Sequence, residues 1–236
     1  MFRKSLQAPN LMVFDLDNTL YEYHNCNRAG LEAFANFASE TLGMSSRNAM
    51  KLFKQARHTV KNRISGASSH DRALYFAEFL AIHGKVNDPR FILEAESLYW
   101  TSFISQMKIA PYCHELIIKA RAKGIVIALV TDLSLVIQYK KLIHLGLENA
   151  FDVIVTSQET MGEKESFEPF ALLLQRLDRD FEVKEVWFIG DSKVDFPHLY
   201  PAASKHYFLS PFADRYLRQR NFIALRDYKQ LIYFLN

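Results

Sequence analysis

Leu11-Met12-Val13-Phe14-Asp15-Leu16-Asp17-Asn18-Thr19 decides how this chain is read. An apolar run ends in two carboxylates spaced i, i+2. In a regular strand both side chains would point to one face and repel each other. Such a pair is costly at the end of a buried strand unless something uses it. A divalent cation relieves the repulsion, and one carboxylate can then attack while the other handles protons.

Working outward, further short apolar runs lie at 125–130, 152–156, 186–190 and 205–209. They are rich in Val, Ile, Leu and Phe and do not alternate, as expected of strands covered on both faces. Helical patterns at 112–123, 134–146 and 167–178 separate them, and Gly146 suits a position just past a helix end. Strand and helix in alternation imply βαβ units and a parallel sheet. Between the first two strands the pattern changes. From Tyr21 to Ala110 only helical signals occur, at 30–41, 47–64, 71–82 and 89–104. Pro89 suits a first helical turn, and Gly43, Gly66 and Gly84 punctuate the boundaries. This predicts an α/β chain with a Rossmann-like parallel sheet core, residues 1–22 and 110–236, and an inserted helical cap domain, residues 23–109.

Composition narrows the class. Hydrophobic residues make up 49% of the 236, which argues against disorder. A formal net charge of +3 is too mild for a nucleic-acid polymer as partner. Cys26 and Cys113 are far apart and form neither a metal-ligand nor a redox spacing, so a cytoplasmic protein is the simplest expectation. The run at 11–14 is too short for a signal-peptide core, and no segment approaches the length of a membrane span. The sequence leaves the oligomeric state open.

In an open parallel sheet, ligands bind at the carboxyl ends of the strands. Asp15 and Asp17 lie at the first such end and Thr131 at the second. Lys164 follows the third strand, and Gly190-Asp191-Ser192-Lys193-Val194-Asp195 closes the fourth. Four carboxylates, a hydroxyl and an ammonium can therefore converge. Hard oxygen ligands suit a divalent metal ion, while the lysine and the hydroxyl suit a phosphate.

At this point the chain resembles the haloacid dehalogenase (HAD) superfamily, whose four motifs appear in order. They are Asp15-Leu16-Asp17-Asn18-Thr19-Leu20, Leu129-Val130-Thr131, Lys164 with Phe170 after it, and Gly190-Asp191-Ser192 with Asp195. The helical insertion after the first motif is similar to the family's type-one cap, so the resemblance spans nearly the whole chain. It implies that Asp15 is a nucleophile forming an aspartyl-phosphate. Asp17 would be the acid that protonates the leaving oxygen and then the base that activates water. Thr131 and Lys164 would hold the phosphoryl oxygens, with Asn18 and Asp132 beside the substrate. The same resemblance implies magnesium, bound by Asp15, Asp191 and the main-chain carbonyl of Asp17, with Asp195 in support.

In the dehalogenase branch the second acid of the first motif is replaced, so the presence of Asp17 favours phosphoryl chemistry. Two neighbours depart from the family pattern. Asp132 stands where Asn or Ser is usual, and Glu165 where Pro is usual; both bring negative charge towards the phosphate position. Arg47, Lys51, Lys54, His58 and Lys61 recur at helical spacing along one face of 47–64. That face is either a wall attracting an anionic substrate or, more simply, a solvated outer surface. Tyr21, Tyr23, His24 and Arg28 follow the first motif, where relatives place a flap, and either contact a leaving group or pack. Trp100 reads as cap core, and His206 as a packed strand residue.

The expectation is a magnesium-dependent phosphatase acting on a small phosphorylated metabolite, a sugar phosphate or a nucleotide. The Asp17–Tyr21 stretch is similar to that of pyrimidine nucleotidases. Alternatives on the same scaffold are a phosphomutase, a phosphonate hydrolase or a non-enzymatic binding protein.

Overall fold

The computed structural model describes residues 6–85, 88–198, 200–214, 216–217 and 222–236. Strand β1 (Leu11–Phe14) is central to a six-stranded sheet. Its other strands are β2 (Val126–Thr131), β3 (Val153–Thr156), β4 (Glu185–Gly190), β5 (Ser204–Leu209) and β6 (Ile223–Ala224), in the order β3-β2-β1-β4-β5-β6. Every pairing is parallel. Phe14 lies beside Leu129 on one side and Ile189 on the other, so β4 ends one residue and β2 two residues beyond the end of β1. The order reverses direction at β1, since β2 lies to one side and β4 to the other. That reversal is where an open α/β sheet leaves a crevice.

The non-alternating strands are explained by burial on both faces. Leu11, Val13, Ala128, Val130, Val186 and Phe188 share one face with Phe170, Leu173 and Leu177. The first two of those come from helix α7 (Glu168–Arg176), which lies against β2 and β3. Met12, Phe14, Ile127 and Leu129 occupy the alternate positions and are buried as well. Each such side chain contributes about 1.5–3 kcal/mol by leaving water. Helix α5 (Cys113–Ala122) packs on β2 and on the C-terminal helix α8 (Lys229–Phe234). Helix α6 (Leu135–His144) follows β2, and its chain leaves through Gly146 at φ +67°, the position read from the sequence as lying just past a helix end.

By compactness the chain forms two units, Met1–Glu22 with Lys108–Asn236, and Tyr23–Met107. The second unit is helical: α1 (Tyr23–Leu42), α2 (Ser46–Arg63), α3 (Arg72–Ile82) and α4 (Pro89–Ser105). Phe34 is its hub, with ring centroids 4.5 Å from Phe76, 5.0 Å from Phe79 and 5.5 Å from Phe53. Trp100 is buried there as expected. Helix α2 buries Ala49, Phe53, Ala56 and Val60, while Arg47, Lys51, Lys54 and His58 are exposed. Lys61 is half-buried and approaches the His70 ring at 3.4 Å.

Four elements differ from the sequence expectation. Helix α1 begins at Tyr23 rather than at residue 30. Its early buried positions are Cys26 and Gly30, too small to register as an apolar stripe. Gly30 is small for a reason: a Cβ there would sit 2.8 Å from the Tyr99 ring. Strand β6 has only two residues, below the length at which an apolar run can be recognised, and α8 is a six-residue helix beside it in chain order. Strand β1 stops at Phe14 and does not continue through the acidic pair, although Asp15 N still donates to Ile189 O at 2.9 Å. Among the described residues, no helix is long and apolar enough to cross a membrane.

Candidate active site

The two leading carboxylates do not share a face, contrary to the reading of the first motif as a continued strand. Beyond Phe14 the chain turns, with Asn18 at φ +60°, a left-handed conformation that asparagine tolerates better than most residues. Leu16 O accepts from Thr19 N and Leu20 N, which closes the turn. Ser210 Oγ donates to Asn18 O at 2.8 Å and Tyr228 OH to Thr19 O at 2.7 Å, so β5's end and the start of α8 brace it. The turn sends Asp15 and Asp17 into different surroundings, which removes the repulsion expected of an i, i+2 pair.

Asp15 is buried. Its Oδ1 accepts from Lys164 Nζ at 2.6 Å and its Oδ2 from Thr19 Oγ1 at 2.9 Å. Lys164 is also buried, and its Nζ donates to Asp195 Oδ1 at 2.5 Å. The other oxygen of Asp195 accepts the main-chain N–H groups of Asp191 and Ser192 at 3.0 and 2.8 Å. Asp195 can approach so closely because β4 ends in Gly190: a Cβ there would lie 2.3 Å from Asp195 Cβ. Asp15, Asp191 and Asp195 each bring a carboxylate oxygen within 4.8 Å of the others.

The electrostatics follow from this crowding. Burial, reinforced by Asp195 and Asp191 and opposed by Lys164, pushes the Asp15 carboxyl well above the usual range. Burial and then Asp195 push Asp191 up to about 7, against the Asn18 hydrogen bond and Lys164. For Lys164 burial works to discharge the ammonium, but Asp15, Asp195 and Asp132 outweigh it and hold its pKa well above the ordinary lysine value. Asp191 forms no salt bridge among the described residues; its Oδ2 takes only the Asn18 amide, at 2.9 Å. Three acids facing one ammonium leave an excess of negative charge, and all the donors are hard oxygens. That set fits a divalent cation of the magnesium type.

Asp17 lies outside the cluster as far as its side chain is concerned. Lys141 Nζ donates to Asp17 Oδ1 at 2.7 Å and to Oδ2 at 2.8 Å, and Tyr21 OH donates to Oδ1 at 2.6 Å. Neither partner was expected from the sequence. Thr131 ends β2 as expected, and the structure adds Gln138, whose Nε2 donates to Thr131 Oγ1 at 2.6 Å and to Asp132 O at 2.7 Å. The Thr131 hydroxyl itself donates to Asp132 O at 3.4 Å, a long bond that a better acceptor can displace.

The remaining sequence candidates fall as follows. Asn18, expected beside the substrate, spends its amide on Asp191 and on Phe212 O at 3.2 Å. Asp132 accepts the Lys164 main-chain N–H at 3.2 Å and lies 4.0 Å from its ammonium. The acid that looked unfavourable near a phosphate thus pins the lysine-bearing loop, and burial raises its pKa. Glu165 is exposed. Tyr21 is fully buried against Asp17, while Tyr23 OH accepts from Arg72 at 3.0 Å within the helical unit. His206 pairs with Glu185 at 3.0 Å on the sheet.

The sequence carried no clear signal for Lys141 and Gln138. On α6 they occupy i and i+3, and both are fully buried, whereas Val136 and Ile143 are 58% and 64% exposed. The same side of α6 buries Ile137 and Leu142, so the two polar residues lie within its apolar inner stripe, and a buried polar residue in such a stripe marks a functional position. Periodicity sees only that a stripe exists, and cannot tell which side faces inward.

Known proteins resemble this chain over most of its length. The family model for haloacid dehalogenase-like hydrolases matches residues 9–199. A ribulose-1,5-bisphosphate 5-phosphatase of Halopiger xanaduensis is 36% identical over 183 residues, covering 76% of this chain and 75% of its own. A glyceraldehyde 3-phosphate phosphatase of Methanocaldococcus jannaschii is 26% identical over 182 residues, with 76% and 75% covered. Among solved structures, the HAD-hydrolase YfnB of Bacillus subtilis, bound to magnesium, superposes with a TM-score of 0.67 at 17% identity, covering 98% of this chain and 100% of that one.

Proposed function

Since this chain belongs to the haloacid dehalogenase-like hydrolase family and is an enzyme of that family, we propose that it is a magnesium-dependent phosphatase of small sugar phosphates. The observation that carries the reading is the division of labour at the first motif. Asp15 sits in the acid cluster with Lys164, and Asp17 stands apart on its own lysine. A dehalogenase needs no proton donor at the second position; a phosphomonoester with an alkoxide leaving group does. The sequence left sugar phosphates and nucleotides open, with a slight leaning to nucleotides. The named relatives act on ribulose bisphosphate and glyceraldehyde phosphate, and they move the choice to sugar phosphates.

Asp15, Asp191 and the main-chain carbonyl of Asp17 would hold the magnesium ion, with Asp195 in support. The bound ion supplies charge neutralisation for the phosphoryl oxygens. The chain's own residues do the rest. Lys164 and the Thr131 hydroxyl hold the phosphoryl group against the strand ends, where fixed donors are worth most in a water-poor site. A carboxylate oxygen of Asp15 attacks phosphorus; the bond to the leaving oxygen breaks, and that oxygen takes its proton from Asp17. Asp17, now a carboxylate, takes a proton from water as the water attacks the aspartyl-phosphate. The phosphorus–Asp15 bond breaks, Asp15 is restored, and the net reaction is phosphomonoester plus water to alcohol plus phosphate.

The helical unit Tyr23–Met107 is the cap in this reading, supported by its insertion directly after the first motif. A cap restricts the substrate to a small soluble molecule. A cytoplasmic setting suits Cys26 and Cys113, which are both buried.

The test is phosphate release from a panel of triose, pentose and hexose phosphates and nucleoside monophosphates, with magnesium and with chelator. The reading predicts metal-dependent turnover, highest on sugar phosphates. Absence of metal-dependent release from every compound would overturn it, and preference for nucleotides would overturn the substrate class.

A further inference from the structure

We infer that Lys141 is a positioning residue for proton transfer, holding Asp17 so that one chosen carboxylate oxygen, Oδ2, faces the leaving group. The inference rests on the phosphatase reading and concerns a residue that no motif of the family resemblance includes.

The geometry is specific. Lys141 is fully buried on α6, where an ammonium is costly unless a partner neutralises it. Its partner is Asp17, bonded through both oxygens at 2.7 and 2.8 Å. The Tyr21 hydroxyl adds a bond at 2.6 Å, and it goes to Oδ1. Tyr21 is itself fully buried, with its ring centroid 5.9 Å from the Lys141 ammonium. Oδ1 therefore carries two donors, the number its lone pairs accommodate, and Oδ2 carries one among the described residues. The Asp17 side chain remains 22% exposed while Lys141 is 0% exposed. Lysine and tyrosine thus form the closed side of the group, and Oδ2 is the oxygen with a lone pair to spare. In the first half-reaction the bond from phosphorus to the leaving oxygen breaks, and that oxygen takes the proton carried on Oδ2. In the second, Oδ2 receives the proton of the attacking water.

The arrangement also keeps two cations on separate duties. Lys164 is committed to Asp15 and Asp195, and Lys141 to Asp17. Without Lys141, Asp17 would keep the Tyr21 hydroxyl on Oδ1 and lose the bidentate hold that fixes its carboxylate. A well-placed acid matters when the leaving group is a poor one, and contributes typically ~10²–10⁴-fold. It matters little when the leaving group departs unprotonated.

Steady-state kinetics of Lys141→Met, Lys141→Arg and Tyr21→Phe test this with two substrates, the best sugar phosphate of the panel and p-nitrophenyl phosphate. For Lys141→Met the expected loss in kcat/KM is ~10²-fold on the sugar phosphate and under about tenfold on the nitrophenyl ester. Lys141→Arg should recover part of the difference. Tyr21→Phe, which removes one hydrogen bond and keeps the ring, should lose about 3–10-fold on the sugar phosphate only. KM for the sugar phosphate and magnesium affinity should stay within about twofold, because both residues act through the Asp17 carboxylate. Equal losses on both substrates would show a merely structural role and overturn the inference, as would no loss on either. If Lys141→Met fails to fold, Tyr21→Phe decides by the same ratio. A wild type that turns over no phosphomonoester would overturn the phosphatase reading and this inference together; wild-type turnover with an unchanged substrate ratio would overturn this inference alone.

Discussion

Asp195 lies so close to the backbone of Gly190 that no larger residue fits beneath it, and this single contact organises the acid cluster. Gly190→Ala would place a methyl group 2.3–2.5 Å from Asp195 Cβ, Cγ and Oδ2. Asp195 must then withdraw, breaking its bonds to Lys164 and to the Asp191 and Ser192 amides. The expected result is a loss of about 1–3 kcal/mol in a denaturant melt together with weakened magnesium binding. A second residue-scale consequence concerns pH. Asp191 is raised from 3.8 to about 7 by burial and by Asp195, so the folded protein binds this proton more tightly than the unfolded chain does. The sign is the reverse of a salt-bridged acid: its share of metal-free stability is intact below about 4 and is lost as pH rises through about 7. Magnesium favours the ionised form and should raise the melting temperature more at pH 8 than at pH 6; calorimetry with and without the ion checks this.

At the scale of elements, α6 is the part of the site that sequence patterns did not reveal. The strand ends that carry Asp15, Thr131 and Asp191 were legible because apolar runs stop abruptly at polar residues, and a sheet order places those stops together. Lys164 was legible only through the family resemblance, since a lone lysine in a loop announces nothing. Lys141 and Gln138 were not legible, because polar residues on an amphipathic helix read as its solvated side, yet these two are buried beside Ile137 and Leu142. Gln138→Leu offers a check on that buried polar side. It keeps the volume but removes the donor to Thr131 Oγ1, so the hydroxyl loses its fixed direction. The expected effect is a fall of about 5–30-fold in kcat/KM on the sugar phosphate, with a stability change near 1 kcal/mol. A variant with wild-type kinetics would show that Thr131 needs no such orientation.

Over the whole molecule, most of the architecture followed from one contrast: strand–helix alternation after residue 110 and helices alone before it. The missed pieces, β6 and α8, are too short for a period to develop, and the early turns of α1 were hidden by the small residues that Tyr99 requires. The helical unit has its own internal logic, in which the Arg72 guanidinium lies over the Tyr75, Tyr99 and Trp100 rings at 5.0–5.4 Å and donates to His70 O and Tyr23 OH. Its removal should destabilise the protein without changing the chemistry of Asp15. That chemistry is the central claim, and rapid quench of a single turnover with a sugar phosphate labelled in its phosphoryl group tests it most directly. The account predicts transient acid-stable label on the peptide containing Asp15, and no label and a loss of turnover of ~10³-fold or more in Asp15→Asn. Label on another residue, or wild-type turnover by Asp15→Asn, would contradict it.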